Sequence, residues 1–170
     1  SHRSFLDPVV IGCALRRRIH YFARSSLWEI APIRWTLELF GGIPVDREKP
    51  QASTISHTIS VLRDGRCLLM FPEGTRTRDG RLGRFRDGPA LVARRAQVPV
   101  VPVYLVDTEG AWPRGARLPV PGRGKVQVIF GPAMYSNPLL PARQQDDDLS
   151  QRIAAWLSQT ERLILGPEKT

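Results

Sequence analysis

Apolar residues along the chain fall into short blocks that switch between helical and strand spacing. Asp7-Pro8 followed by Val9, Val10, Cys13 and Ala14 predicts a helix ending among Arg16, Arg17 and Arg18, with an acid and a proline in its first turn and cations at its carboxyl end. Ile19 to Ala23 reads as a strand. Leu27 to Phe40, with Trp28, Ile33, Leu37 and Phe40, predicts a second helix interrupted at Pro32 and stopped by Gly41-Gly42. Ile43 to Arg47 then makes a short strand, and Ile55, Ile59 and Leu62 mark a third helix ending before Asp64-Gly65.

Cys67 to Phe71 is an unbroken apolar run ended by Pro72, the pattern of a strand buried on both faces. Residues 73 to 88 form a polar loop, Pro89 to Gln97 a helix, and Val98 to Val106 a further strand. Residues 110 to 124 are rich in Gly, Pro and Arg and predict another loop. Lys125 to Phe130 follows as a strand and Asn137 to Arg143 as a linker. In the last helix Asp146, Asp147 and Asp148 stand as an amino-terminal cap, and Leu149, Ile153, Trp156 and Leu163 form one apolar stripe. Helices alternating with apolar strands predict an α/β fold, a mostly parallel or mixed central sheet flanked by helices.

Length and composition bound this picture. The 170 residues suit a single domain, and 42% hydrophobic content is enough for a core. The longest apolar stretch, Val98 to Val106, contains two prolines and is far short of the roughly 20 residues that span a bilayer. Cys13 and Cys67 are too few for a disulfide framework or a zinc site of their own. Lys and Arg total 25 against 16 acids, a formal charge of +9, and arginine supplies nearly all the cations. Its planar fork suits phosphate, so the charge points to an anionic partner: nucleic acid, an anionic membrane surface or a phosphorylated small molecule.

Candidate chemistry begins at His2 and Asp7. A neutral imidazole accepts and returns a proton near neutral pH, and a carboxylate on one ring nitrogen leaves the other free as a base. Five residues apart on a regular helix the two would not share a face, so His2 is expected in the loop before the helix, bent back towards Asp7. Alone, the pair reads equally as a surface histidine and a helix cap. Glu73-Gly74-Thr75-Arg76 follows a strand, where α/β proteins place ligands. Arg76 offers paired donors to phosphate, and Arg47 ends another strand. A Glu73–Arg76 ion pair and an exposed Asp46–Arg47 pair are the structural alternatives. Arg78, Arg81, Arg84 and Arg86 extend the charge, either as a solvated loop or as attraction to phospholipid headgroups. No Gly-x-Ser-x-Gly elbow is present, so a covalent acyl-enzyme is not suggested.

Four segments together, His2-Arg3-Ser4-Phe5-Leu6-Asp7, Gly42-Ile43-Pro44-Val45-Asp46-Arg47, Phe71-Pro72-Glu73-Gly74-Thr75-Arg76 and Val98-Pro99-Val100-Val101-Pro102-Val103, resemble in order and separation the four motifs of the PlsC-like glycerophosphate and lysophosphatidic acid acyltransferase family. Phe85-Arg86-Asp87-Gly88 resembles a segment that follows the third motif in many relatives. The resemblance runs from residue 1 to about residue 135 and implies one acyltransferase domain over residues 1–170. It implies His2 and Asp7 as the catalytic pair, and Arg47, Glu73, Gly74, Thr75 and Arg76 as acceptor-binding residues. The implied reaction moves a fatty acyl group from acyl-CoA or acyl-carrier protein, as co-substrate, to the hydroxyl of a lysophospholipid. The expected acceptor is 1-acylglycerol-3-phosphate and the product phosphatidic acid, with no metal and no bound cofactor.

The resemblance further implies an anionic membrane surface on the cytoplasmic side as partner, with nucleic acid not expected. Trp28, Trp35, Leu39 and Phe40 read as core, as the lining of an acyl groove, or as a contact with the bilayer. The likeness departs at Ser1, where the family has Asn. A start without Met predicts missing upstream residues, and a base so near a chain end predicts low activity unless it is tied down. Other acceptors, such as glycerol 3-phosphate or another lysophospholipid, are the nearest alternative. A non-catalytic basic module for anionic lipid or nucleic acid is the alternative from another class.

Overall fold

The structure, a computed structural model, describes residues 4, 6–15, 17–39, 41–45, 52–74, 82–83, 85–111, 120 and 125–166. Strand β1 (Ile19–Arg24) is central in a parallel ladder ordered β2-β1-β3, flanked by β2 (Gly42–Val45) and β3 (Cys67–Leu69). Phe22 stands opposite Ile43 and Tyr21 opposite Leu69. Strands β4 (Val103–Val106) and β5 (Gln127–Phe130) form an antiparallel ladder, so the sheet content is mixed. The helices are α1 (Asp7–Ala14), α2 (Ala31–Leu39), α3 (Ala52–Arg63), α4 (Gly88–Ala96), α5 (Thr108–Ala111) and α6 (Ala142–Leu165).

Strand β4 explains why helices lie on both sides. Its successive residues Tyr104 and Leu105 are 0% and 1% exposed and point to opposite faces, as strand geometry requires. Tyr104 packs with Ala90 and Ala93 of α4 and with Leu149, Ile153 and Leu157 of α6. Leu105 packs with Ile11 of α1 and Ile19 of β1. Arg94 of α4 joins Asp146 of α6 through two hydrogen bonds, 2.7 and 3.0 Å, and the Asp146 carboxylate pushes the Arg94 pKa further up.

Several expected boundaries shift for local reasons. Pro32 stands in the first turn of α2, which begins at Ala31, instead of interrupting a longer helix, because a missing N–H costs nothing there; a 3-10 turn (Ser25–Glu29) precedes it. Val98 to Val106 is not one strand. Pro99 and Pro102 cannot donate to a ladder, which leaves β4 starting at Val103 and an isolated bridge between Val100 and Met134. Strand β3 is half-buried throughout instead of fully buried, since within its ladder it pairs on one side only. Helix α6 starts at Ala142, so Ala142 and Arg143 belong to the helix and not to a linker. The acidic triplet lies a turn inside it: Asp146 faces Arg94, and Asp148 pairs with Arg152. Leu163 is 79% exposed, and Ile164 takes its place in the apolar stripe.

Helix α1 ends at Ala14, before the arginines expected to close it. Arg17 and Arg18 serve other helices instead. Arg17 Nη2 donates to the Gly65 carbonyl just past α3 at 2.8 Å, and Arg18 Nη2 donates to the Leu39 carbonyl that ends α2 at 2.5 Å. Arg63 does the same for the Arg95 carbonyl of α4 at 2.9 Å. Each places a cation against the negative end of a helix dipole. Among the described residues no helix is long and apolar enough to cross a membrane.

Candidate active site

Asp7 is the first residue of α1 and has no exposed surface. The Ser4 N–H donates to its Oδ2 at 2.9 Å, while the Asp7 N–H donates to the Ser4 carbonyl at 3.3 Å. Ser4 is itself buried, and its Oγ accepts the Leu6 N–H at 3.3 Å. A carboxylate at this position also faces the positive end of the helix dipole. Asp7 is therefore held in a fixed direction by a short turn that it helps to close. The sequence reading missed Ser4, although its i, i+3 spacing from Asp7 is a recognisable turn signal.

The four-residue connection after Ala14 returns the chain to the start of β1, where Gly12 and Ile11 lie against Ile19. The Phe71–Gly74 turn follows directly on β3.

In this turn the Gly74 N–H donates to the Phe71 carbonyl at 3.0 Å, and Gly74 has φ +71°, a conformation that disfavours other residues. Glu73 is 7% exposed. Residues from the far end of the following loop pack onto the turn. A β-carbon on Gly83 would touch the Glu73 side chain at 3.4 Å, the Arg86 N–H donates to the Pro72 carbonyl at 3.0 Å, and a β-carbon on Gly74 would stand 3.3 Å from Arg86 Nε. Gly83 and Arg86 are thus the supports of the Glu73-Gly74 turn. Arg86 belongs both to the basic loop and to the Phe85-Arg86-Asp87-Gly88 segment that resembles one after the third motif, whereas Gly83 carries no signal in the sequence. His2, Arg47, Thr75 and Arg76 lie outside the described residues, as do Arg78, Arg81, Arg84 and Phe40. Of the seven expected site residues, the structure describes three: Asp7 at the start of α1, and Glu73 and Gly74 in the turn that follows β3.

A family model described as Acyltransferase matches residues 1–106, which include Asp7, the Glu73-Gly74 turn and β4. The chain belongs to the acyltransferase family. It is 31% identical to a chloroplastic 1-acyl-sn-glycerol-3-phosphate acyltransferase of Brassica napus over 81% of this chain and 40% of that protein. It is 33% identical to the 1-acyl-sn-glycerol-3-phosphate acyltransferase of Pseudomonas aeruginosa over 74% of this chain and 48% of that one. The acyltransferase chain thus spans less than half the length of these relatives. The crystal structure of the 1-acyl-sn-glycerophosphate acyltransferase PlsC from Thermotoga maritima superposes with a TM-score of 0.71 at 21% identity, covering 94% of this chain and 63% of that one. The acyltransferase fold expected from the sequence is the fold observed.

Proposed function

We propose that the chain carries the reaction centre of a 1-acylglycerol-3-phosphate O-acyltransferase, taking a fatty acyl group from acyl-CoA or acyl-carrier protein and giving phosphatidic acid. The observation that carries this reading is the fully buried Asp7 carboxylate, fixed by the Ser4 N–H at the start of α1, five residues after a histidine in a chain of the acyltransferase family. A buried carboxylate held in one direction is what an imidazole base needs as a partner. The curated relatives' names supply the substrate class.

In this mechanism the free ring nitrogen of His2 takes the proton of the acceptor hydroxyl as its oxygen bonds to the thioester carbonyl carbon. Asp7 stabilises the imidazolium. The tetrahedral intermediate collapses by breaking its C–S bond, and the imidazolium returns the proton to the departing thiolate. The products are an ester and a free thiol, so no oxidant, metal or resident cofactor enters the balance. Arg47 and Arg76 grip the acceptor's phosphate, while Glu73, Gly74 and Thr75 shape its pocket. An anionic membrane surface, on the cytoplasmic side, supplies the acceptor; nucleic acid has no part.

An acyl-transfer assay across acceptors tests this reading. With acyl-CoA as donor, 1-acylglycerol-3-phosphate should outrun glycerol 3-phosphate, lysophosphatidylethanolamine and phosphate-free monoacylglycerol. Arg47→Ala and Arg76→Ala should raise KM for the phosphate-bearing acceptor by about tenfold or more and leave monoacylglycerol unaffected. Equal losses on both acceptors would reject the phosphate-gripping role.

A further inference from the structure

Helix α2 carries apolar residues on two sides, although only one side packs. Leu37 is buried, whereas Trp35 is 80% and Leu39 65% exposed. At 100° per residue Ala31, Trp35 and Leu39 lie within one arc of about 80°, and Leu37 lies on the opposite side of the helix. A helix held to its domain by one stripe ordinarily turns polar groups outward; here the outward arc is a tryptophan and a leucine, four residues apart. Its borders are charged. Arg34 and Glu38 form an exposed pair at 2.8 Å along one side, and the exposed Arg18 sits at the carboxyl end of α2, bonded to the Leu39 carbonyl. Arg17, its exposed chain neighbour, is turned to the Gly65 carbonyl past α3, so Arg18 is the cation nearest the arc's end.

We propose that this outward arc of α2 is an interfacial surface that docks the domain onto an anionic phospholipid bilayer. Tryptophan settles at the headgroup level, a leucine one turn on reaches the acyl boundary, and a cation such as Arg18 at the arc's end attracts lipid phosphates. The net charge of +9 complements such a surface and opposes self-association through the same face. Helix α2 starts after the carboxyl end of β1 and returns to its amino end, where Arg18 meets the Leu39 carbonyl, so the arc runs along the flank of the ladder. The inference rests on the proposed lipid-acylating reaction and names the surface from which that site draws its acceptor.

Vesicles of equal parts phosphatidylcholine and phosphatidylglycerol, sedimented with the full chain in the absence of substrate, test it. Trp35→Ser combined with Leu39→Ser should lower partitioning by about tenfold or more. Leu163→Ser, which removes an equally exposed leucine from α6, should leave it unchanged. Pure phosphatidylcholine vesicles should bind the parent more weakly and with little salt dependence. Melting temperatures matched to the parent's exclude unfolding as the cause. Parent-like vesicle binding by the double variant overturns the proposal, as does conversion of a dimer to a monomer with partitioning unaltered, which would make the arc a contact between copies. Since binding is read without turnover, a parent that transfers no acyl group yet docks through Trp35 and Leu39 would sink the reaction while supporting the docking face.

Discussion

A carboxylate without exposed surface is costly unless its charge is met, and at Asp7 the Ser4 N–H and the amino end of α1 both face it. The Ser4 contact comes from the backbone, which separates two substitutions that look alike on paper. Asp7→Asn keeps an oxygen for the Ser4 N–H but removes the charge that steadies an imidazolium. Turnover should fall by about 10²-fold or more with the melting temperature little changed, read by acyl-transfer kinetics beside thermal unfolding. Ser4→Ala keeps the backbone donor, losing only the hydroxyl that accepts the Leu6 N–H. It should cost about 1 kcal/mol of stability and retain most turnover. Asp7 was legible in the sequence because acid and proline mark the start of a helix. The contacts of Gly83 and Arg86 with Glu73-Gly74 were not, since a loop's return path depends on packing and not on the local pattern.

At the scale of elements the same contrast holds. Alternating blocks gave the helix and strand order, apart from the four-residue α5, because burial leaves a period in the sequence. Partners across space leave none. The three aspartates near the start of α6 read as a dipole cap, yet Asp146 instead clamps Arg94 of α4 by two hydrogen bonds. Both side chains are largely shielded, with 22% and 13% exposure. Removing one would leave the other charge without its partner. Arg94→Met should therefore lower unfolding stability by about 2 kcal/mol in urea denaturation. The paired change Arg94→Met with Asp146→Asn should recover part of the loss, and an additive loss would show that the two do not interact.

For the whole molecule, part of the charge of +9 is spent inside the fold. Arg17, Arg18 and Arg63 close helices, and Arg94 ties α4 to α6; composition alone assigned them all to a partner. In the proposed reaction the arginines of the acceptor motifs are the ones kept for phosphate. The fold class was readable from order and periodicity. The division of labour among cations was not, because an arginine that caps a distant helix looks in sequence like one that awaits a ligand.

The most direct measurement is single-turnover acyl transfer from acyl-CoA to 1-acylglycerol-3-phosphate by the parent chain and by His2→Ala, with acceptor binding measured on both. The account predicts a loss of about 10²- to 10⁴-fold in the transfer rate with acceptor affinity largely kept. A rate for His2→Ala within a fewfold of the parent's would contradict it.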